Sequence, residues 1–265
     1  MGTGDFNIKV LGTRGSMSVS GAEYSIFGGA TSSYLVQAGA EHVFLDAGTG
    51  IANAPAEFEN TPVIIISHPH LDHLLGLGMY PRLLKAGSRT RICLPAKDDG
   101  EARRLLDGIF SPPYWPVSME LYSGDTQIEA LQFPMQLGEL TIDGIGGNHP
   151  GGSEIVKLSY RGRSIVYITD YEYEESSFEE LKAFSRDVEL ILYDGQYAPE
   201  EAELKKGFGH STAQKGIELL EAAGARSMLL VHHDPLSTDE ILLQREGQLN
   251  RNDIRYARQG ETVEL

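Results

Sequence analysis

Short apolar runs, several alternating with polar positions, punctuate the chain. They predict strands at residues 7–11, 33–37, 42–46, 63–67, 91–94, 139–145, 154–160, 164–169, 188–193 and 227–231. Helical spacing lies between them, with helices predicted over 71–85, 97–110 and 176–184. Another helix, over 212–223, stops at Gly224, a residue suited to the left-handed position after a helix end. Ser237 with Glu240 three positions on reads as a capping box, opening a helix to about residue 255. The strands fall into two clusters, before about residue 95 and from about 117 to 193. That pattern predicts an α/β fold of two sheets packed face to face with helices outside. No repeat, low-complexity tract or long linker divides the chain, so residues 1–265 read as one domain.

One strand end carries unusual chemistry. Val63-Ile64-Ile65-Ile66 runs into His68-Pro69-His70-Leu71-Asp72-His73, four metal-ligand types within six residues. Side chains of this kind repel when charged and cost free energy when buried alone. A cation removes both penalties. His68 and His70 alternate and can point to one side, while Asp72 and His73 can turn to a second position. Three more candidates come after apolar strands in the same way: His149, Asp170 and His232. Two metals then share the set. His68, His70 and His149 hold the first, Asp72, His73 and His232 the second, and Asp170 bridges. Nitrogen and oxygen ligands with room for water suit catalytic zinc, with manganese or iron also compatible. Two such ions can share a hydroxide and clamp a phosphoryl group. His232 is preferred over His233 because it comes directly after its strand; His233 then supports it from behind. His42 lies within a strand and reads as a packed or surface residue.

Composition narrows the partners. The formal net charge is −16, and residues 172–203 carry 11 acidic side chains against Lys182 and Arg186. Such a surface repels long polyanions. Cys93 is the only cysteine, so no intramolecular disulfide forms. The absence of a signal peptide, myristoylation pattern or membrane-length apolar run places the expected chain in the cytoplasm, free of the membrane. A homodimer is left open.

The hexapeptide resembles the signature of the metallo-β-lactamase-fold hydrolases, and Phe44-Leu45-Asp46-Ala47-Gly48-Thr49-Gly50 resembles their upstream strand-Asp-Gly element. The resemblance covers nearly the whole chain. It implies a four-layer αββα sandwich with the metals at one edge, and a role for Asp46 in orienting a metal-bound histidine. Tyr193-Asp194-Gly195-Gln196-Tyr197, Gly209-His210-Ser211-Thr212-Ala213 and Leu229-Leu230-Val231-His232 are similar to the tRNase Z-like branch. By that likeness His210 is a general acid oriented by Asp194, and Asp72 counts among the catalytic residues as well as the ligands. The bland alternative is that His210 only flanks a helix cap at Ser211 or Thr212.

True tRNase Z enzymes carry a long basic arm, usually between the positions of His149 and Asp170. Only 20 residues separate those positions here, which argues against tRNA. The run from His68 to Gly76 also resembles class II cyclic-nucleotide phosphodiesterases, and the compact layout resembles the carbon–phosphorus-lyase-associated cyclic phosphodiesterase. The expected activity is therefore hydrolysis of a small phosphodiester. The alternatives are a lactonase or thioesterase on the same site, and a non-catalytic ligand- or metal-sensing protein. Arg14, in a glycine-bearing turn, is a candidate phosphate contact. Tyr114 and Trp115, in a loop with three prolines, are either a rigid anchor or a wall of the site.

Overall fold

A computed structural model describes residues 5–265. Strands β1 (Phe6–Gly12), β2 (Ser33–Ala38), β3 (Glu41–Leu45), β4 (Val63–Ile65), β5 (Arg89–Leu94) and β6 (Asp125–Ala130) form one sheet. Strands β7 (Met135–Leu137), β8 (Leu140–Gly147), β9 (Ser153–Tyr160), β10 (Arg163–Ile168), β11 (Leu190–Asp194), β12 (Met228–Val231) and β13 (Ile254–Tyr256) form the second. The last strand, β14 (Thr262–Glu264), returns to pair with β1. The helices are α1 (Leu71–Leu74), α2 (Pro81–Leu84), α3 (Asp99–Asp107), α4 (Glu175–Phe184), α5 (Pro199–Ala202), α6 (Ala213–Ala223) and α7 (Asp239–Leu249).

Three apolar clusters mark three interfaces between four layers. The central one joins Phe6, Ile8, Val10, Tyr34 and Val36 of the first sheet to Leu140, Ile142, Val156 and Leu158 of the second. A second seats Leu74, Leu83, Ala102 and Leu106 on Phe44, Ile64 and Ile92. A third seats Leu181, Leu219, Leu220 and Leu242 on Val166, Ile191 and Leu230. The alternating burial of β1 and β9 explains how each strand serves two layers at once. The αββα expectation is borne out. Cys93 is buried in the core, and His42 is half-buried against the Phe58 ring.

Several boundaries differ from the sequence reading. The sheets divide after β6, not near residue 95, because α3 carries the chain across to lay β6 parallel to β5. The continuous helix expected over 71–85 is broken into α1, a 3-10 stretch at Leu75–Met79, and α2. Gly76 and Gly78 explain the break: an added Cβ would lie 2.1 Å from Gly48 O and 2.3 Å from the Trp115 ring. Pro81, without an amide hydrogen, then starts a new helix. The last helix begins one residue late, capped by Thr238 accepting from the Ile241 amide. It ends at Leu249, with Asn250 in the left-handed region, well short of residue 255. Thr212 caps α6 and left-handed Gly224 closes it, as the sequence indicated.

The topology gathers strand ends. The segments β3 to β6 pair in parallel, as do β10 to β13. Because β8 and β10 are each antiparallel to β9, they run the same way. Asp46, His68, His149, Asp170, Asp194 and His232 therefore all lie at or just beyond carboxyl ends of strands, where α/β folds build sites. No helix among the described residues is long and apolar enough to cross a membrane.

Candidate metal centre

Two groups of nitrogen and oxygen atoms converge at this edge. His68, His70, His149 and Asp170 form one; Asp72, His73, Asp170 and His232 form the other, with the ligand atoms of each within 4.8 Å of one another. Asp170 belongs to both, and also to a third such group with Asp194, His210 and His232. In the first group His68 Nε2 lies 2.9 Å from His70 Nδ1, and His149 Nε2 lies 3.2 Å from the same atom. In the second, His232 Nε2 lies 3.0 Å from Asp170 Oδ1 and 3.1 Å from Asp72 Oδ2. His73 Nε2 is 3.1 Å from each of the same two carboxylates.

The backbone is bent to achieve this. Asp46 and His232, directly after their strands, and Asp170, one residue further on from its own, hold left-handed φ values of 61°, 60° and 47°. Such conformations cost a non-glycine residue roughly 1–2 kcal/mol each. They turn the side chains out of the sheet and toward a common point.

The far ring nitrogens are tied down. His73 Nδ1 lies 2.7 Å from Asp46 Oδ2, and the same oxygen accepts from Ser67 Oγ and Tyr167 Oη. His149 Nδ1 is 2.9 Å from Gly209 O. His232 Nδ1 is 2.8 Å from Gln196 Oε1. These bonds leave the opposite nitrogens, Nε2 in all three, aimed inward. Tethers of this kind are how proteins orient metal-binding histidines.

Electrostatics agree with a cation. His68 is pushed down to about 2, by burial first and then by the neighbouring His73, so its ring stays neutral. Burial likewise lowers His149, against the opposing pull of Asp170. His232 shows the opposite balance: burial pulls it down, yet Asp170 and Asp72 lift it to about 10. His73 is raised for the same reason, and Asp170 is held well below the carboxylate range by His232 and His73 despite its burial. The buried Nε2 of His73 forms no hydrogen bond, although two carboxylates stand beside it. Convergent carboxylates around that nitrogen call for a positive charge between them, supplied by a proton on the ring or by a metal ion. The donor set thus fits divalent metal ions.

A third group joins the edge. His210 Nδ1 lies 2.9 Å from Asp194 Oδ2, and its ring stacks on His232 at 4.9 Å between centroids. Asp194 is fully buried and also accepts from the Gln196 amide. His210 also borders a cavity of about 380 Å³ lined in part by Glu172, Tyr173, Lys206, Gln214 and Lys215.

Other expected residues lie elsewhere. Arg14 is fully buried, with Nε 2.7 Å from Gly28 O and Nη1 2.7 Å from Ser237 O. It pins a turn and cannot meet a substrate. His233 is turned away from the metal-facing groups: its Nε2 meets Ala257 O at 2.8 Å between Phe27 and Tyr256. It supports no ligand directly. Trp115 donates to Tyr122 Oη and packs against Phe110, making its loop an anchor; Tyr114 is 80% exposed. The sequence reading missed Ser67, Tyr167 and Gln196, and also Ser16, whose amide donates to Asp72 Oδ2 at 2.7 Å. Of these only Gln196 carried a signal, its place two residues after Asp194.

Residues 41–233 match the model of the beta-lactamase superfamily domain, and the chain belongs to that family. It is a hydrolase of the metallo-β-lactamase superfamily, a fold that implies bound divalent metals. Among relatives, a ribonuclease Z of Methanosarcina acetivorans is 25% identical over 88% of this chain and 89% of its own. The metallo-β-lactamase fold protein YhfI from Bacillus subtilis superposes with a TM-score of 0.73 at 20% identity, covering 97% of this chain and 98% of that one. A diphosphatase from the PhnP family superposes with a TM-score of 0.71 at 17% identity, covering 98% of each. The ribonuclease Z relative weighs against excluding RNA on charge alone.

Proposed function

We propose that residues 1–265 form one hydrolase domain that uses two divalent metals to cleave a small phosphodiester, with cyclic nucleotides and cyclic phosphates the first candidates. The observation that carries this reading is the sharing of Asp170 between two convergent ligand groups. His68, His70 and His149 would hold one ion, Asp72, His73 and His232 the other, with Asp170 between. Zinc suits these donors best. Bound there, the ions would supply Lewis acidity to the phosphoryl oxygens and acidify a water in the site.

The chain's own residues then orient and protonate. Asp194 accepts the Nδ1 hydrogen of His210, which makes Nε2 the nitrogen that can donate to a substrate. In the protonated ring, that nitrogen donates to the departing alkoxide. A small substrate is favoured by two observations. The hairpin of β9 and β10 fills the interval between His149 and Asp170 without an arm. The net charge of −16 opposes a polyanion. The structural likeness to a diphosphatase points the same way.

A panel of bis-p-nitrophenyl phosphate, cyclic nucleotides, a precursor tRNA, lactones and thioesters tests the reading, with metal content measured on each variant. His70→Ala should abolish turnover with loss of metal. His210→Ala should keep its metal and slow turnover by roughly 10²–10⁴-fold. Turnover confined to lactones or thioesters would overturn the phosphodiester reading, and equal metal loss in both variants would remove the acid role of His210.

A further inference from the structure

Gln196 is 5% exposed and sits where three functional groups meet. Its Oε1 is 2.8 Å from His232 Nδ1, its backbone amide donates to Asp194 Oδ1 at 3.1 Å, and its Nε2 reaches Ser16 Oγ at 3.4 Å. Ser16 in turn donates its own amide to Asp72 Oδ2 at 2.7 Å. A closed ring results: His232, Gln196, Ser16, Asp72 and back to His232, whose Nε2 is 3.1 Å from Asp72 Oδ2.

The alternative partner makes the arrangement informative. Asp194 Oδ2 lies 3.8 Å from His232 Nδ1, close enough to compete for that hydrogen, and 2.9 Å from His210 Nδ1. One carboxylate oxygen thus stands between two imidazoles. An anionic acceptor makes a stronger hydrogen bond than a neutral amide, so without Gln196 the carboxylate would be drawn to His232. The Gln196 carbonyl occupies the His232 hydrogen and leaves Asp194 to His210.

We infer that Gln196 is a positioning residue: it fixes the His232 tautomer for the second metal and reserves Asp194 for His210. This rests on the reading that His232 is a ligand and His210 the acid. The four inward-facing histidines that carry tethers thereby have graded partners. His73 has a carboxylate, His149 a backbone carbonyl, His68 a hydroxyl and His232 a neutral amide. The amide keeps His232 a weaker donor to its metal than a carboxylate partner would.

The test uses the full chain and zinc alone, with affinity measured by chelator competition and stoichiometry by metal analysis. Gln196→Met keeps the length and removes the acceptor. It should bind the second zinc roughly 10–100-fold more weakly while the first is unchanged. Gln196→Glu keeps an acceptor and should bind the second zinc at least as tightly as wild type. At saturating zinc, Gln196→Met should still show a lowered kcat, because the Asp194 oxygen, 3.8 Å from His232 Nδ1 and 2.9 Å from His210 Nδ1, is then shared between the two rings and holds neither fully. His232→Ala is the control for the underlying reading, and wild-type zinc stoichiometry in it would overturn that reading instead. If His232→Ala loses a zinc but Gln196→Met binds both as wild type does, the inference fails. Should Gln196→Met not fold, tenfold weaker zinc binding by Gln196→Glu overturns it.

Discussion

At the residue scale, the candidate ligands were legible because their chemistry is rare in that density. Three histidines and an aspartate in six residues have no packing explanation, and the structure brings all four to one edge with His149, Asp170 and His232. The residues behind them were not legible, because a glutamine, a serine or a tyrosine is ordinary anywhere. Only the fold shows Tyr167 and Ser67 meeting Asp46, or Gln196 meeting His232. Arg14 misled for a related reason: a lone arginine in a turn fits a phosphate contact and a buried brace equally well. Asp46 is the residue most worth changing. It accepts from the Ser67 amide and hydroxyl, from Tyr167 and from His73. Asp46→Asn keeps the shape but turns a donor toward those donors. Chelator competition should show zinc held roughly 10–100-fold more weakly. Urea denaturation of the metal-free protein should show a loss of about 1–3 kcal/mol. Unchanged zinc affinity would contradict the role given to Asp46.

At the element scale, the strands were readable from alternation, and the ligand-bearing edge from the histidines and aspartates just beyond the strand ends. Weakly patterned strands were not: β6 reads Asp-Thr-Gln-Ile-Glu-Ala, and its place depends on the α3 crossover. The broken helix after the hexapeptide was equally hidden, since the need for Gly76 and Gly78 comes from Gly48 and Trp115, distant in sequence. Two loop glycines give reciprocal tests. At Gly209, with φ +90°, an added Cβ would lie 2.0 Å from His149 Nδ1. At Gly15 it would lie 2.3 Å from the His232 ring. Gly209→Ala should lower zinc affinity at the first position only, and Gly15→Ala at the second only. Metal analysis with stepwise chelation separates these outcomes; identical losses in both variants would mean the two positions are not distinct.

At the scale of the whole molecule, the site concentrates opposed charges that bound metal would balance. Without metal, the share of stability from Asp72 and Asp170 is in force above the ordinary carboxylate pKa of about 4 and is lost only as pH falls through their depressed values. The share from His73 and His232 is fully present below about 6.5 and fades as pH rises through their raised values, about 10 for His232. Metal displaces those histidine protons, so zinc binds more tightly as pH rises. The increase in melting temperature on adding zinc should therefore be larger at pH 9 than at pH 6. A larger increase at pH 6 would mean that protonated His73 and His232 do not compete with the metal.

Anomalous X-ray scattering at the zinc edge, on crystals of the zinc-loaded protein, bears most directly on the two-metal site. Two peaks are predicted, one among His68, His70 and His149 and one among Asp72, His73 and His232, with Asp170 between them. A single peak, or a pair with Asp170 bound to neither ion, would contradict it.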